Sequence, residues 1–203
     1  MKRGKFITFE GPEGSGKTTQ IRYVEKLLKK KGYSVAVYRE PGGTVTSERI
    51  RKILLHDDEA LSSEVEALLF LSARRDLVEK KIIPDLKRGK IVICDRFQDS
   101  TWVYQGFSGA LSASLIEKMG EFATDNLKPD LTILLDLPAK KGLSRSGKTD
   151  RMENKPLSFH NKVRNGFLAL AKKNKKRFRV ISSTQSIEKV QEEIDKVIDH
   201  VFK

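Results

Sequence analysis

The octapeptide Gly11-Pro12-Glu13-Gly14-Ser15-Gly16-Lys17-Thr18 constrains this chain more than any other stretch, because it matches G-x-x-x-x-G-K-[ST]. Phe6-Ile7-Thr8-Phe9 stands before it as a strand-like apolar run. Ile21, Val24, Leu27 and Leu28 follow it at the three- and four-residue spacing of an amphipathic helix. Strand, glycine-rich loop and helix in that order make a phosphate cradle. The glycines let the backbone turn its N–H groups onto anionic oxygens, and the helix N-terminus adds its positive end. Gly11 to Thr18 are therefore candidates for holding a nucleoside triphosphate. In such a loop Lys17 reaches the β- and γ-phosphates and Thr18 ligates Mg²⁺.

Four further apolar runs repeat the pattern: Val35-Ala36-Val37-Tyr38, Ile91-Val92-Ile93-Cys94, Leu131 to Leu135 and Phe178 to Ile181. Helical patterns separate them, and the last of these (Ile187, Val190, Ile194, Val197, Ile198) runs to the C-terminus. Near-continuous apolar strands alternating with helices predict an α/β fold, a five-stranded parallel sheet covered on both faces. Ligands then gather at the C-terminal ends of the strands. A length of 203 residues suits one domain, 1–203, with a short lid.

The net charge of +13 favours anionic partners without choosing among them. No recognisable nucleic-acid module is present and aromatic residues make up 7%, so no nucleic-acid partner is expected. No stretch approaches the ~20 apolar residues of a membrane span, and the N-terminus lacks a signal-peptide pattern. The one cysteine, Cys94, lies in an apolar run and reads as a core thiol. A cytoplasmic location is expected. His56, His160 and His200 are scattered without metal-ligand spacing, and no chemistry is assigned to them.

Asp95 closes the third predicted strand, where phosphate-loop proteins place an acid near the metal. Three arginines, Arg51, Arg74 and Arg96, lie on or just after elements that leave the ligand edge. One triphosphate does not need them all. A second phosphate-bearing substrate would, since guanidinium forks onto phosphate oxygens. After the fourth strand comes Arg145-Ser146-Gly147-Lys148-Thr149-Asp150-Arg151, short, polar and basic. It reads as a lid, about 142–153, that brings cations over the phosphates on closure.

With these residues assembled, the sequence resembles the bacterial thymidylate kinases of the P-loop nucleoside monophosphate kinase group. The resemblance runs through Phe9 to Thr19, Arg39-Glu40-Pro41-Gly42-Gly43-Thr44, Leu69-Phe70 with Arg74, Asp95-Arg96-Phe97, Ser100-Thr101, Tyr104-Gln105-Gly106, Pro129 to Thr132 and Asp150-Arg151-Met152-Glu153. It implies transfer of phosphate from ATP to dTMP, with Mg²⁺ as cofactor and a homodimer as the assembly. It also implies roles. Glu13 bonds the 3′-hydroxyl of dTMP, Phe70 stacks on thymine, Arg74 bonds a thymine carbonyl, and Thr101 and Gln105 read the base edge. Tyr104 crowds the 2′ position. Arg96 and Arg51 hold the dTMP phosphate, and Arg39, Glu40 and Pro41 shape the pocket floor. Thr18 and Asp95 face the metal.

Some members of this family carry an arginine in the P-loop and others supply it from the lid. Here the loop has none, so Lys17, Arg96, Arg145 and Arg151 are the catalytic candidates. Two departures stand out: Phe97 where the family usually has Tyr, and no arginine at Ser108-Gly109-Ala110. Two alternatives stay open at this stage, a related kinase with another acceptor and a nucleic-acid-stimulated P-loop ATPase.

Overall fold

The computed structural model describes residues 3–55 with the backbone of residue 56, and residues 61–109, 111–147 and 150–202. Five strands form one parallel sheet in the order β2-β3-β1-β4-β5. They are β1 (Phe6–Glu10), β2 (Val35–Arg39), β3 (Ile91–Asp95), β4 (Leu131–Asp136) and β5 (Phe178–Ser182). Each begins at the residue its apolar run predicts and extends one residue further. The central strands β1 and β3 are buried along nearly their whole length, as strands covered on both faces must be.

Helices fill the connections: α1 (Lys17–Lys30), α2 (Val45–His56), α3 (Ser63–Leu77), α4 (Ile83–Lys87), α5 (Gln98–Thr101), α6 (Ala113–Thr124), α7 (Ala139–Ser146), α8 (Leu157–Lys173) and α9 (Ile187–Val201). Serine side chains cap α3, α6 and α9, where Ser62, Ser112 and Ser186 accept from backbone N–H groups of the first turn. One face of the sheet is sealed by Ile21, Val24 and Leu28 of α1 with Val190, Ile194 and Ile198 of α9 against Ile7, Phe9 and Ile133. These residues come from the three- and four-residue stripes read in the sequence; Leu27 and Val197 pack at their margin and Ile187, in the first turn of α9, is exposed. A second cluster joins α8, through Val163, Phe167 and Leu170, to Leu134, Phe178 and Val103.

Cys94 is fully buried in a third cluster beside Phe6 and Phe97, and burial pushes its thiol well above the ordinary range. Phe97 packs edge-on against Phe6 at 4.9 Å between ring centres, so its ring is a core element. Among the described residues, no helix is long and apolar enough to cross a membrane.

Two helices widen to i→i+5 turns, Val78–Ile82 after α3 and Trp102–Phe107 after α5. Such one-turn widenings often sit at functional sites. The second carries Tyr104 and Gln105. Strand β1 lies between β3 and β4, so the chain leaves it in one direction toward β2 and later returns on the other side. That reversal opens a crevice at the C-terminal edge, above Glu10 and Asp95.

Candidate active site

A cavity of about 280 Å³ fills this crevice. Glu13, Gly14, Lys17 and Thr18 line one end of it, with Asp95 beside them. Arg39, Glu40, Pro41, Arg51, Phe70, Arg74, Arg96, Thr101, Tyr104 and Gln105 line the rest. Every residue that the resemblance assigns to the acceptor pocket thus borders one space. The spacing on the helices explains the convergence. Phe70 and Arg74 lie four apart on α3, and Tyr104 and Gln105 lie three and four residues beyond Thr101, the last residue of α5, so each set shares one helix face.

At the loop end, α1 begins at Gly16 without a side-chain cap or an acidic residue in its first turn. Its leading N–H groups stay available to an anion. Gly14 has φ of +64°, and a Cβ there would lie 2.2 Å from the Gly142 carbonyl oxygen of α7, so only glycine fits. Lys17 is buried, and its Nζ donates to the carbonyls of Gly11 at 3.1 Å and Pro12 at 3.0 Å. Burial, followed by the charge of Arg96, lowers its pKa to about 8 against the opposing pull of Asp95, Glu13 and Glu10. Thr18 is exposed on the cavity wall. Thr18 and Asp95 offer two hard oxygen donors next to the phosphate cradle. Mg²⁺ commonly takes one or two protein oxygens and completes its shell from phosphates and water. Among the described residues no group of three His, Cys, Asp or Glu stands ready to hold an ion by itself.

Arg96 follows β3 in a left-handed conformation, φ 69°, unusual for a side chain of its size. Its backbone N–H bonds the Phe9 carbonyl at 2.9 Å, locking the turn. The turn aims the guanidinium into the cavity, where it donates to Ser100 Oγ and Glu13 Oε1, both at 3.2 Å, and lies 5.1 Å over the Tyr104 ring. Tyr104 donates its hydroxyl to the same Glu13 oxygen. His160, on α8, places Nδ1 3.3 Å from the other oxygen, Oε2. Burial alone would raise the Glu13 pKa. His160, Arg96, Lys17 and Tyr104 together bring it down to about 2, so the carboxylate is ionised at neutral pH.

Arg74 is fully buried. Its Nε and Nη2 both lie 2.7 Å from Glu40 Oε2, and it also donates to Gln98, Thr101 and the Phe97 carbonyl. Its guanidinium lies 5.4 Å over the Phe97 ring. The residue expected to bond a thymine carbonyl is thus also the tie between α3, the β2 edge and α5. Arg51 donates to the Pro41 carbonyl at 2.9 Å, while Arg39 turns to Glu48 at 3.1 Å.

The family model for thymidylate kinase matches residues 9–194. The chain belongs to the thymidylate kinase family. It is 44% identical over 198 residues to the thymidylate kinase of Thermoanaerobacter sp., covering 97% of this chain and 98% of the relative. The thymidylate kinase of Carboxydothermus hydrogenoformans is 47% identical over 195 residues, 95% of each chain. Among solved structures, the Ehrlichia chaffeensis thymidylate kinase superposes with a TM-score of 0.80 at 37% identity, covering 97% of this chain and 99% of that one. The P-loop nucleoside monophosphate kinase fold and the phosphorylation of dTMP to dTDP with ATP follow from this membership.

The lid segment, about 142–153, takes in the end of α7 and part of the stretch before α8. Its first half, including Arg145 and Ser146, is the C-terminal turn of α7, and Lys148 and Thr149 lie outside the described residues, as does Ala110. Arg145 donates to the Ser183 carbonyl at 3.4 Å. Arg151 donates to the Leu54 carbonyl and pairs with Glu66 at 2.9 Å. Neither arginine borders the cavity; Asp150, Met152 and Glu153 do.

Three residues that matter here went unassigned in the sequence. His160 is 1% exposed. Glu66, buried on α3, takes Arg151 and also Gln105 at 3.3 Å. It falls four residues before Phe70, and that spacing was a readable signal. Glu10 accepts from the Phe97 N–H and the Ser100 hydroxyl. Burial first, then the charge of Asp99, pushes its carboxyl above the usual range. Nothing in the spacing of the three histidines marks His160, because its partner lies 147 residues away.

Proposed function

We propose that the cavity is the dTMP pocket and that Glu13 is the residue shared between the two nucleotides. The observation that carries this is convergence. Phe70, Arg74, Thr101, Tyr104 and Gln105 border the same space as Lys17 and Thr18. An acceptor held there lies against the end of the P-loop that receives the γ-phosphate. Phe70 provides a face for thymine, Thr101 and Gln105 its edge, and Tyr104 a wall at the 2′ carbon. Arg96 and Arg51 fork onto the acceptor phosphate. Arg39, Glu40 and Pro41 form the floor. Such positioning, together with neutralisation of charge, is most of what phosphoryl transfer asks of a protein.

Thr18 and Asp95 fit a Mg²⁺ ion that arrives with ATP. The ion supplies Lewis-acid polarisation of the phosphates when bound. The protein's own contribution is Lys17 and the loop N–H groups on the phosphates, and Arg96 between the two substrates. Arg145 and Arg151 belong to the lid, about 142–153, of a single domain. Their move from Ser183 and Glu66 onto the phosphates is the closing step of this reading.

A homodimer accounts for the apolar face of α3 and α6, where Phe122 is 80% exposed and Leu68 55% exposed beside a groove lined by Ile50, Leu71 and Met119. Light scattering on a sizing column, with Phe122→Asp as the dissociating variant, measures that. The location is cytoplasmic in this reading, with ATP and dTMP as the ligands and neither nucleic acid nor membrane as partner. The single buried thiol of Cys94 supports it.

Steady-state kinetics of Phe70→Ala tests the pocket. The expected result is a KM for dTMP raised about tenfold, near 1.4 kcal/mol, with the KM for ATP within about twofold of wild type. A rise in the ATP value alone overturns the assignment.

A further inference from the structure

His160 is buried on α8 with a polar ring and no part in the reaction as described so far. It does not border the cavity. Its Nδ1 faces Glu13 Oε2 at 3.3 Å, while Phe159 packs edge-on against the ring at 5.6 Å and Nε2 has no hydrogen-bond partner among the described residues. Glu13 itself does border the cavity. Its two oxygens are held unequally. Among the described residues, Oε1 takes the Tyr104 hydroxyl and the Arg96 guanidinium, and Oε2 takes only His160. A carboxylate oxygen accepts two hydrogen bonds. With one direction of Oε2 occupied by His160, the other is free for a hydroxyl donor.

We propose that His160 is a positioning residue for the acceptor sugar, donating Nδ1–H to Glu13 Oε2 from behind so that this carboxylate is oriented toward a ligand hydroxyl. The proposal rests on the reading of Glu13 as the contact for the 3′-hydroxyl of dTMP. An Nδ1–H tautomer is required, since a bare Nδ1 lone pair facing an ionised carboxylate is repelled. Deletion of the donor leaves the Glu13 side chain pulled only by Arg96 and Tyr104, on the Oε1 side. The carboxylate then rotates out of its aim, and recognition of the sugar hydroxyl suffers more than binding of the base or the phosphate. Because α8 follows the lid segment in the chain, the same contact ties the lid's C-terminal anchor to the P-loop.

The experiment compares kcat/KM for dTMP and for 3′-deoxythymidine 5′-monophosphate in wild type, His160→Leu and His160→Asn. Asparagine keeps an N–H donor near the Nδ1 position, whereas leucine removes it. The expected wild-type preference for dTMP is about tenfold, the loss of one hydrogen bond to a charged acceptor. In His160→Leu the preference falls to about twofold, through KM for dTMP, and in His160→Asn it stays above about fivefold. A general loss of packing lowers both substrates equally and leaves the preference intact, and that outcome overturns the role for His160. A wild type that handles both substrates equally overturns the Glu13 reading instead, and the proposal with it. The ¹⁵N–¹H spectrum of the wild-type histidine side chains supplies a test that needs no variant. It should show His160 with Nδ1 protonated; a neutral ring protonated only on Nε2 refutes the proposal.

Discussion

Lys17 makes the P-loop a proton-linked site. Its Nζ is buried against the Gly11 and Pro12 carbonyls, and its pKa is about 8, lowered first by burial and then by Arg96. In the proposed site, arrival of a triphosphate would surround the same nitrogen with anionic oxygens, favour the ammonium form and return its pKa to the ordinary value near 10.4 or above. Binding therefore takes up the protons that the free enzyme lacks. With a pKa of about 8 in the free loop, that is about half a proton at pH 8, roughly 0.1 at pH 7 and roughly 0.9 at pH 9.

Calorimetric titration with ATP and Mg²⁺ in buffers of different ionisation enthalpy gives the number directly, as the slope of observed against buffer enthalpy. Lys17→Arg is the control, since a guanidinium does not titrate in this range and its uptake should vanish. The sign for stability follows from the same shift. The unfolded chain holds the Lys17 proton longer than the folded one, so this residue makes the free enzyme more stable as pH rises from about 8 toward the unfolded value. An uptake that stays below about 0.1 proton at pH 8 and does not grow at pH 9 refutes the argument, as does an unchanged uptake in Lys17→Arg.

Arg74→Met leaves Glu40 buried without its partner, a change that costs about 3–5 kcal/mol and should lower the melting temperature by about 6–20 °C for a chain of this size. The double variant Arg74→Met/Glu40→Leu should recover most of that loss, because an apolar pair of similar volume replaces the ion pair; a double variant as unstable as the single one contradicts the assigned role. Arg151→Ala should cut kcat at least tenfold while the KM for dTMP stays within about threefold, if the arginine leaves Glu66 for the phosphates during turnover. Since Glu66 also holds Gln105, the opposite pattern, a raised KM with kcat unchanged, assigns Arg151 to support of the base pocket.

Strands and the donor loop were legible because their signals are local. The apolar runs at Phe6, Val35, Ile91, Leu131 and Phe178 are consecutive residues, and each became a strand. Their spatial order was not legible, since no local pattern states that β1 lies between β3 and β4. That the residues proposed for the acceptor would share one cavity was legible through the family resemblance, and helix spacing explains why Phe70 joins Arg74 and why Tyr104 joins Thr101. Long-range pairs were lost. Arg177, at the end of the basic run Lys172 to Arg177, forks onto buried Asp99 at 2.6 and 2.7 Å, a pairing that no local pattern states. His160 and Glu66 share this cause, because each acquires its meaning from a partner on another element. The resting partners of Arg145 and Arg151 were not legible for a different reason. Composition gave their charge correctly, but a short basic segment does not tell which carbonyl or carboxylate it rests on before nucleotides bind.

The central claim is that one crevice holds ATP and dTMP together and selects thymine on a deoxyribose. A coupled assay of ADP formation with a panel of monophosphates, dTMP, dUMP, UMP, dCMP and AMP, measures it most directly. ADP release should require the acceptor and be fastest with dTMP, with UMP lower in kcat/KM by at least about a hundredfold, near 2.7 kcal/mol. Equal rates with dTMP and UMP, or ADP release independent of any monophosphate, would contradict it.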